Sequence, residues 1–143
     1  MERKDWVLLV TGCVEEGGLT PVQLQKSLFL IGQKIPNISN YGEFYNFIAY
    51  DYGPFCIDVY RDAEILSSEG CVNIGRGLGE RFDSYSITAK GLKLSEQIKV
   101  QLPPEIYGYV CEMVRWVKSV AFTQLIKTVY AEFPNFAKNS VFK

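Results

Sequence analysis

Apolar residues recur at helical spacing from the start of the chain. Between Lys4 and Glu16, the positions Trp6, Leu9, Val10, Cys13 and Val14 share one face, which predicts a helix ended by Gly17-Gly18. A second helix has a complete start signal. Thr20 is the predicted N-cap, Pro21 the first helical residue and Gln23 the second half of a capping box, while Leu19 can staple onto Leu24. Leu24, Leu28, Ile31 and Ile35 form its apolar stripe, and Pro36 stops it. Positions 37–42 read as a loop. Phe44 to Tyr50, rich in aromatic and β-favouring residues, reads as a strand.

The stretch from Phe47 to Ile74 organises the rest of the chain. Gly53-Pro54 predicts a turn into a helix, with proline at the first helical position. Phe55, Val59, Ala63 and Leu66 then fall on one face, and Gly70 is the predicted left-handed cap. Val72 and Ile74, and later Tyr85 and Ile87, alternate with polar residues as half-buried strands do. Between them, Gly75-Arg76-Gly77-Leu78-Gly79 predicts a flexible hairpin tip. It lacks the Gly-Lys-Ser/Thr ending of a phosphate loop. A helix leading into such a hairpin is the core of a winged helix-turn-helix.

Thr88 predicts the cap of a further helix running to about Val100. Pro103-Pro104 starts another, with Ile106, Val110, Met113 and Val117 at helical spacing. The last helix carries Leu125, Ile126, Val129 and Tyr130 and ends at Phe133-Pro134. The tail, Asn135 to Lys143, has Phe136 and Phe142 as candidate anchors. The pattern predicts an α+β, mostly helical fold in one domain, 1–143. A winged-helix-like core with a small antiparallel sheet spans 1–101, its wing at 71–87, and a C-terminal helical extension occupies 102–143.

Composition narrows the chemistry. None of the 143 residues is histidine. That removes Ser-His-Asp and Cys-His nucleophile systems and the usual mixed zinc sites. No spacing of Lys, Tyr or paired carboxylates points to catalysis. We therefore expect no enzyme, with no catalytic, cofactor or metal residues and no small-molecule substrate. The four cysteines, Cys13, Cys56, Cys71 and Cys111, form no C-x-x-C pair and are expected to be buried reduced thiols. The apolar run Trp6–Val10 is far shorter than the roughly 20 residues of a membrane span. Glu2, Arg3, Lys4 and Asp5 stand where a secretion signal would be positive. A cytoplasmic protein is expected.

Charge bears on the partner. Residues 1–83 hold seven Lys/Arg against twelve Asp/Glu, and residues 84–143 hold eight against four. The helix before the wing has Asp58, Asp62, Glu64 and Glu69 against Arg61 alone. In a winged helix this element normally enters the major groove, and phosphate neutralisation supplies nearly all non-specific affinity. An acidic helix there favours a polypeptide over a nucleic acid. The candidate partner surface is Tyr52, Phe55, Asp58, Arg61 and Asp62, on the edge of an aromatic-rich stretch from Tyr41 to Tyr60. For any one of those aromatics, packing between sheet and helices is the better reading. The alternative, a DNA-binding regulator, would use Arg61, Arg76, Arg81, Lys90 and Lys93.

Three segments resemble a known family. Leu19-Thr20-Pro21-Val22-Gln23-Leu24-Gln25-Lys26-Ser27-Leu28-Phe29 is similar to the opening block of the Panacea-domain, or SocA-like, antitoxins. Phe47-Ile48-Ala49-Tyr50-Asp51-Tyr52-Gly53-Pro54-Phe55 resembles their F-x-A-x-x-YGP block, with Tyr50 where relatives often have tryptophan. Leu125 to Pro134 is similar to their ending. Separately, Leu66–Val72 with Tyr85–Gly91 resembles the wing of many winged-helix regulators. The family resemblance implies a small intracellular, non-enzymatic module of microbial or phage type that binds a toxin or client protein.

Overall fold

The structure, a computed structural model, describes residues 1–142. Lys143, the last residue of the predicted tail, lies outside the described residues. Helix α1, Arg3–Gly12, is opened by reciprocal bonds between Glu2 and Asp5. It is shorter than its pattern predicted, and it is not amphipathic. Trp6, Val7, Leu8, Leu9 and Val10 are all completely buried, because α1 becomes the central helix of the fold.

Helix α2, Pro21–Lys34, starts as its sequence signals: Thr20 Oγ1 accepts from the Gln23 amide at 3.2 Å, and Gln23 Oε1 accepts from the Thr20 amide at 2.9 Å. A 3-10 turn, Ile38–Tyr41, then leads to a tight hairpin of β1, Ile48–Tyr50, and β2, Gly53–Phe55. Two expectations are corrected here. The strand predicted from Phe44 covers only its last three residues. Gly53-Pro54 does not start a helix but begins β2, and Phe55 lies on that strand rather than on a helix face. Gly53 sits at φ 97°, a left-handed conformation that closes the turn and favours glycine. Tyr50 faces Gly53 across the turn, so the next pair, Ala49 and Pro54, falls where the ladder needs no hydrogen bonds. Proline's missing N–H costs nothing there.

Helix α3, Ile57–Ser68, begins after the Cys56 N-cap and buries Val59, Ala63 and Leu66. Gly70, at φ 78°, takes the left-handed position just beyond it. Strands β3, Val72–Gly75, and β4, Ser84–Ile87, form a second antiparallel hairpin. Its outer edge is tied to the loop before α2, where Leu19 and Tyr85 exchange both backbone hydrogen bonds at 2.8 Å. Helix α4, Ala89–Ile98, is capped by Thr88; then come α5, Pro104–Ser119, and α6, Phe122–Glu132. Among the described residues the fold is α+β and mostly helical, with two small antiparallel sheets. One apolar cluster draws on all six helices and the second hairpin. No described helix is long and apolar enough to cross a membrane.

The cysteines depart from expectation. Cys13, at the end of α1, and Cys111, within α5, form a disulfide with Cα atoms 5.3 Å apart across a sequence separation of 98. Cys56 and Cys71 are free and buried, as expected. The pairing depends on α5 crossing the end of α1, which nothing local announces.

Gly91 shows why α4 sits where it does. Its amide meets the Thr88 cap at 3.0 Å, and a Cβ on it would collide with the Cys71 carbonyl oxygen. Helix propensity alone would favour alanine here by about 1 kcal/mol. Gly91→Ala is nevertheless expected to lower the unfolding free energy by about 2 kcal/mol or more, read from urea denaturation. Reduction of Cys13–Cys111 is expected to cost about 2–4 kcal/mol and to lower Tm in thermal unfolding. Cys13→Ser should be insensitive to reductant.

Candidate functional site

Two consecutive residues of α2 position the first hairpin. The Gln25 side-chain amide donates to Cys56 O at 2.9 Å and accepts from Cys56 N at 3.0 Å. It thereby imitates a rung of a β-ladder at the junction of β2 and α3. Lys26 is only 3% exposed, and its Nζ donates to Pro54 O at 3.0 Å. Burial lowers its pKa from the ordinary 10.5 to about 8. The Ala49–Pro54 pair makes no ladder bonds, so the Pro54 carbonyl points out of the hairpin and is free to accept.

The hairpin thus held presents Tyr52 at its tip. Tyr52 (44% exposed) packs edge-on against Phe122 (44% exposed) at the start of α6, with ring centroids 5.7 Å apart. Phe82 (64% exposed), on the loop between β3 and β4, completes the rim. Together with Val22, Val120 and Leu125 these rings line an apolar groove of about 450 Å³. Phe82 and Phe122 were not singled out from the sequence. Phe82 had a signal, a lone aromatic between Arg81 and Asp83 in a polar glycine-rich loop. Phe122 had none apart from its place at a helix start.

The other predicted contact residues lie elsewhere. Phe55 is half-buried, stacked on Tyr50 at 4.9 Å and edge-on to Tyr60 at 5.7 Å. Asp58 is held by Arg3 at 3.3 Å and by Arg61 at 3.2 Å, while Arg61 itself is exposed. Asp62 does not lie on the surface. It is 4% exposed, gripped by Arg3 at 2.9 and 3.1 Å, and accepts from the Tyr45 hydroxyl at 2.7 Å. The Asp62 bond holds the Arg3 guanidinium still more firmly in its charged form. Burial, with the bond that the Tyr45 hydroxyl donates to Asp62, pushes the Tyr45 phenol up.

This network changes the electrostatics of α3. Lys4 takes Glu69 at 3.1 Å, so three of the four carboxylates on the segment from Ile57 to Glu69 are paired with the first turn of α1. The exposed Glu64 makes no ion pair among the described residues. Of the residues proposed for nucleic acid, Arg76 is paired with Asp83 at 3.6 Å, and Lys90 donates to Glu69 O at 2.7 Å. Arg81 and Lys93 are exposed and make no ion pair among the described residues.

Compared with models of known protein families, with curated proteins and with solved structures, the chain matches none.

The buried Lys26 has a pH signature. Its folded pKa lies below the ordinary value, so between about pH 8 and 10.5 the unfolded chain binds more protons than the folded one. Stability should therefore rise with pH through that window, by up to about 3 kcal/mol from this group. Tyr60, pushed up to about 12 by burial, acts in the opposite sense at higher pH. Lys26→Met, which nearly conserves volume, should flatten the rise between about pH 8 and 10, read as the difference between the two denaturation series.

Proposed function

We propose that the chain is a non-enzymatic regulatory module that binds a partner polypeptide, antitoxin or adaptor in character, on a winged-helix-like frame. The observation that carries this reading is the groove. Three exposed aromatic rings, from the first hairpin, the second hairpin and α6, converge on one apolar depression. Aromatic side chains give large contact area at low entropic cost and dominate binding hot spots. The arrangement of α3, the β3–β4 hairpin and α4 supports the winged-helix frame. The resemblance to SocA-like antitoxins supports the role, and the two blocks that carry it meet in space, Gln25 and Lys26 against Pro54 and Cys56. The cytoplasm is the compartment this reading assigns, and the Cys13–Cys111 disulfide is the observation that stands against it.

The partner surface moves accordingly. Tyr52 stays, Phe82 and Phe122 join it, and the Asp58–Asp62 segment leaves it. A second reading, DNA binding, is favoured by the pairing of the α3 carboxylates with Arg3 and Lys4, which weakens the repulsion expected of an acidic helix. Arg61, Arg81 and Lys93 would be its contacts.

The test uses the tagged full chain with photo-crosslinking to partners in cell extract. Phe122→Ala and Tyr52→Ala are each expected to cut capture of the crosslinked partner about tenfold or more, while Lys127→Ala leaves it unchanged. Capture indifferent to Tyr52 and Phe122 overturns the reading. Tight binding to a mixed-sequence duplex, lost steeply as salt is raised, would transfer support to DNA.

A further inference from the structure

The outer edge of β1 is already occupied by the chain itself. Residues Asn139 to Phe142 run beside it in the same direction. Asn139 Nδ2 donates to Ala49 O at 3.2 Å, and Val141 N donates to Asp51 O at 2.8 Å. The Tyr130 hydroxyl donates to Ser140 Oγ, which lies 3.2 Å from Asp51 O and also accepts from the Phe142 amide at 2.9 Å. The Phe142 ring meets Phe122 edge-on, with centroids 5.8 Å apart. Phe122 in turn meets Tyr52. The segment therefore ends on the rim of the groove.

Its hold on the edge is incomplete. A parallel neighbouring strand would make evenly spaced backbone bonds along β1. Here, among the described residues, Val141 makes the one backbone–backbone bond, and a side chain serves Ala49. Asn139 and Val141 stay exposed. An unpaired strand edge is a template for an added strand, and main-chain bonds with an alternate side chain in a pocket are how such peptides are read.

We propose that Asn139–Phe142 is a built-in placeholder on the partner site. The incoming polypeptide binds as an extended strand along β1, takes the Ala49 and Asp51 carbonyls, and seats an aromatic side chain against Phe122 where Phe142 now packs. This rests on the partner-binding reading and adds the conformation and anchor of the ligand. Edge-to-face packing favours an aromatic anchor, because the ring already in place lies near-perpendicular to Phe122, at 79°.

A fluorescein-labelled peptide, Ala-Lys-Asn-Ser-Val-Phe, copies residues 137–142 and serves as the probe on the full chain. A site filled by its own segment about nine-tenths of the time weakens apparent affinity about tenfold. Phe142→Ala should therefore bind the probe about tenfold more tightly than the unaltered chain. Adding Phe122→Ala, or Tyr52→Ala should the former not fold, should abolish the gain, as should replacing the probe's phenylalanine by alanine. Equal binding by the unaltered chain and Phe142→Ala, or a gain indifferent to Phe122 and Tyr52, overturns the proposal. The two readings fail separately. If partner capture depends on Tyr52 and Phe122 but Phe142→Ala changes neither capture nor probe binding, the placeholder is wrong and the partner reading stands. If the probe exchanges as expected but capture ignores those rings, the edge is a peptide site and the partner reading falls.

Discussion

Gln25 and Lys26 leave α2 side by side and take hold of a backbone that would otherwise bury unpaired polar groups. The hairpin of β1 and β2 is only two strands wide, too small to be stable alone. Its inner edge faces α2, away from water, and each buried carbonyl or amide left unpaired there would cost about 1–3 kcal/mol. The Gln25 amide closes one two-way bond with Cys56, and the Lys26 ammonium closes one with Pro54. Those two contacts set the angle at which the hairpin leaves the body. They also set where α3 begins, because Cys56 is both the residue held and the helix cap. Tyr52 reaches Phe122 only because this joint is fixed.

A second polar joint fixes the other end of the same region. Arg3, in the first turn of α1, draws Asp62 into the interior, and the Tyr45 hydroxyl completes the carboxylate's bonds. A buried pair of this kind is weak evidence for stability, since desolvation offsets most of its Coulomb energy. Losing one partner, however, would strand a charge. The consequence for recognition is larger than for stability. Of the carboxylates that look like an acidic surface in one dimension, Asp62 turns inward to a helix–helix ion pair, while Asp58 and Glu69 stay at the surface, neutralised by Arg3 and Lys4.

Much of the fold was legible because it is written in neighbouring residues. Thr20, Pro21 and Gln23 are a capping box wherever they occur, Thr88 caps α4, and Gly70 is cheap in the left-handed conformation that ends α3. The apolar spacing of α5 and α6 matches the faces they bury, whereas α2 is buried all round from Leu24 to Ile31, with Gln25, Lys26 and Ser27 included. Gly53-Pro54 misled because the same dipeptide suits both a helix start and a turn, and the choice between them lies with Lys26, 28 positions earlier. Helix α1 misled because a central helix is buried all round and shows no stripe.

By itself, then, the order of residues determined where α2, α4 and α5 start, where α2, α3 and α6 stop, which face of α5 and α6 is apolar, and that a glycine-rich hairpin comes after α3. These depend on groups within a few residues of one another, whose geometry the backbone enforces. Only the tertiary structure decided that Cys13 meets Cys111, that Asp62 turns inward to Arg3, and that Tyr52, Phe82 and Phe122 share a groove. Each of those joins positions tens of residues apart. The chain can bring them together only after the helices have packed, so no local spacing encodes the meeting.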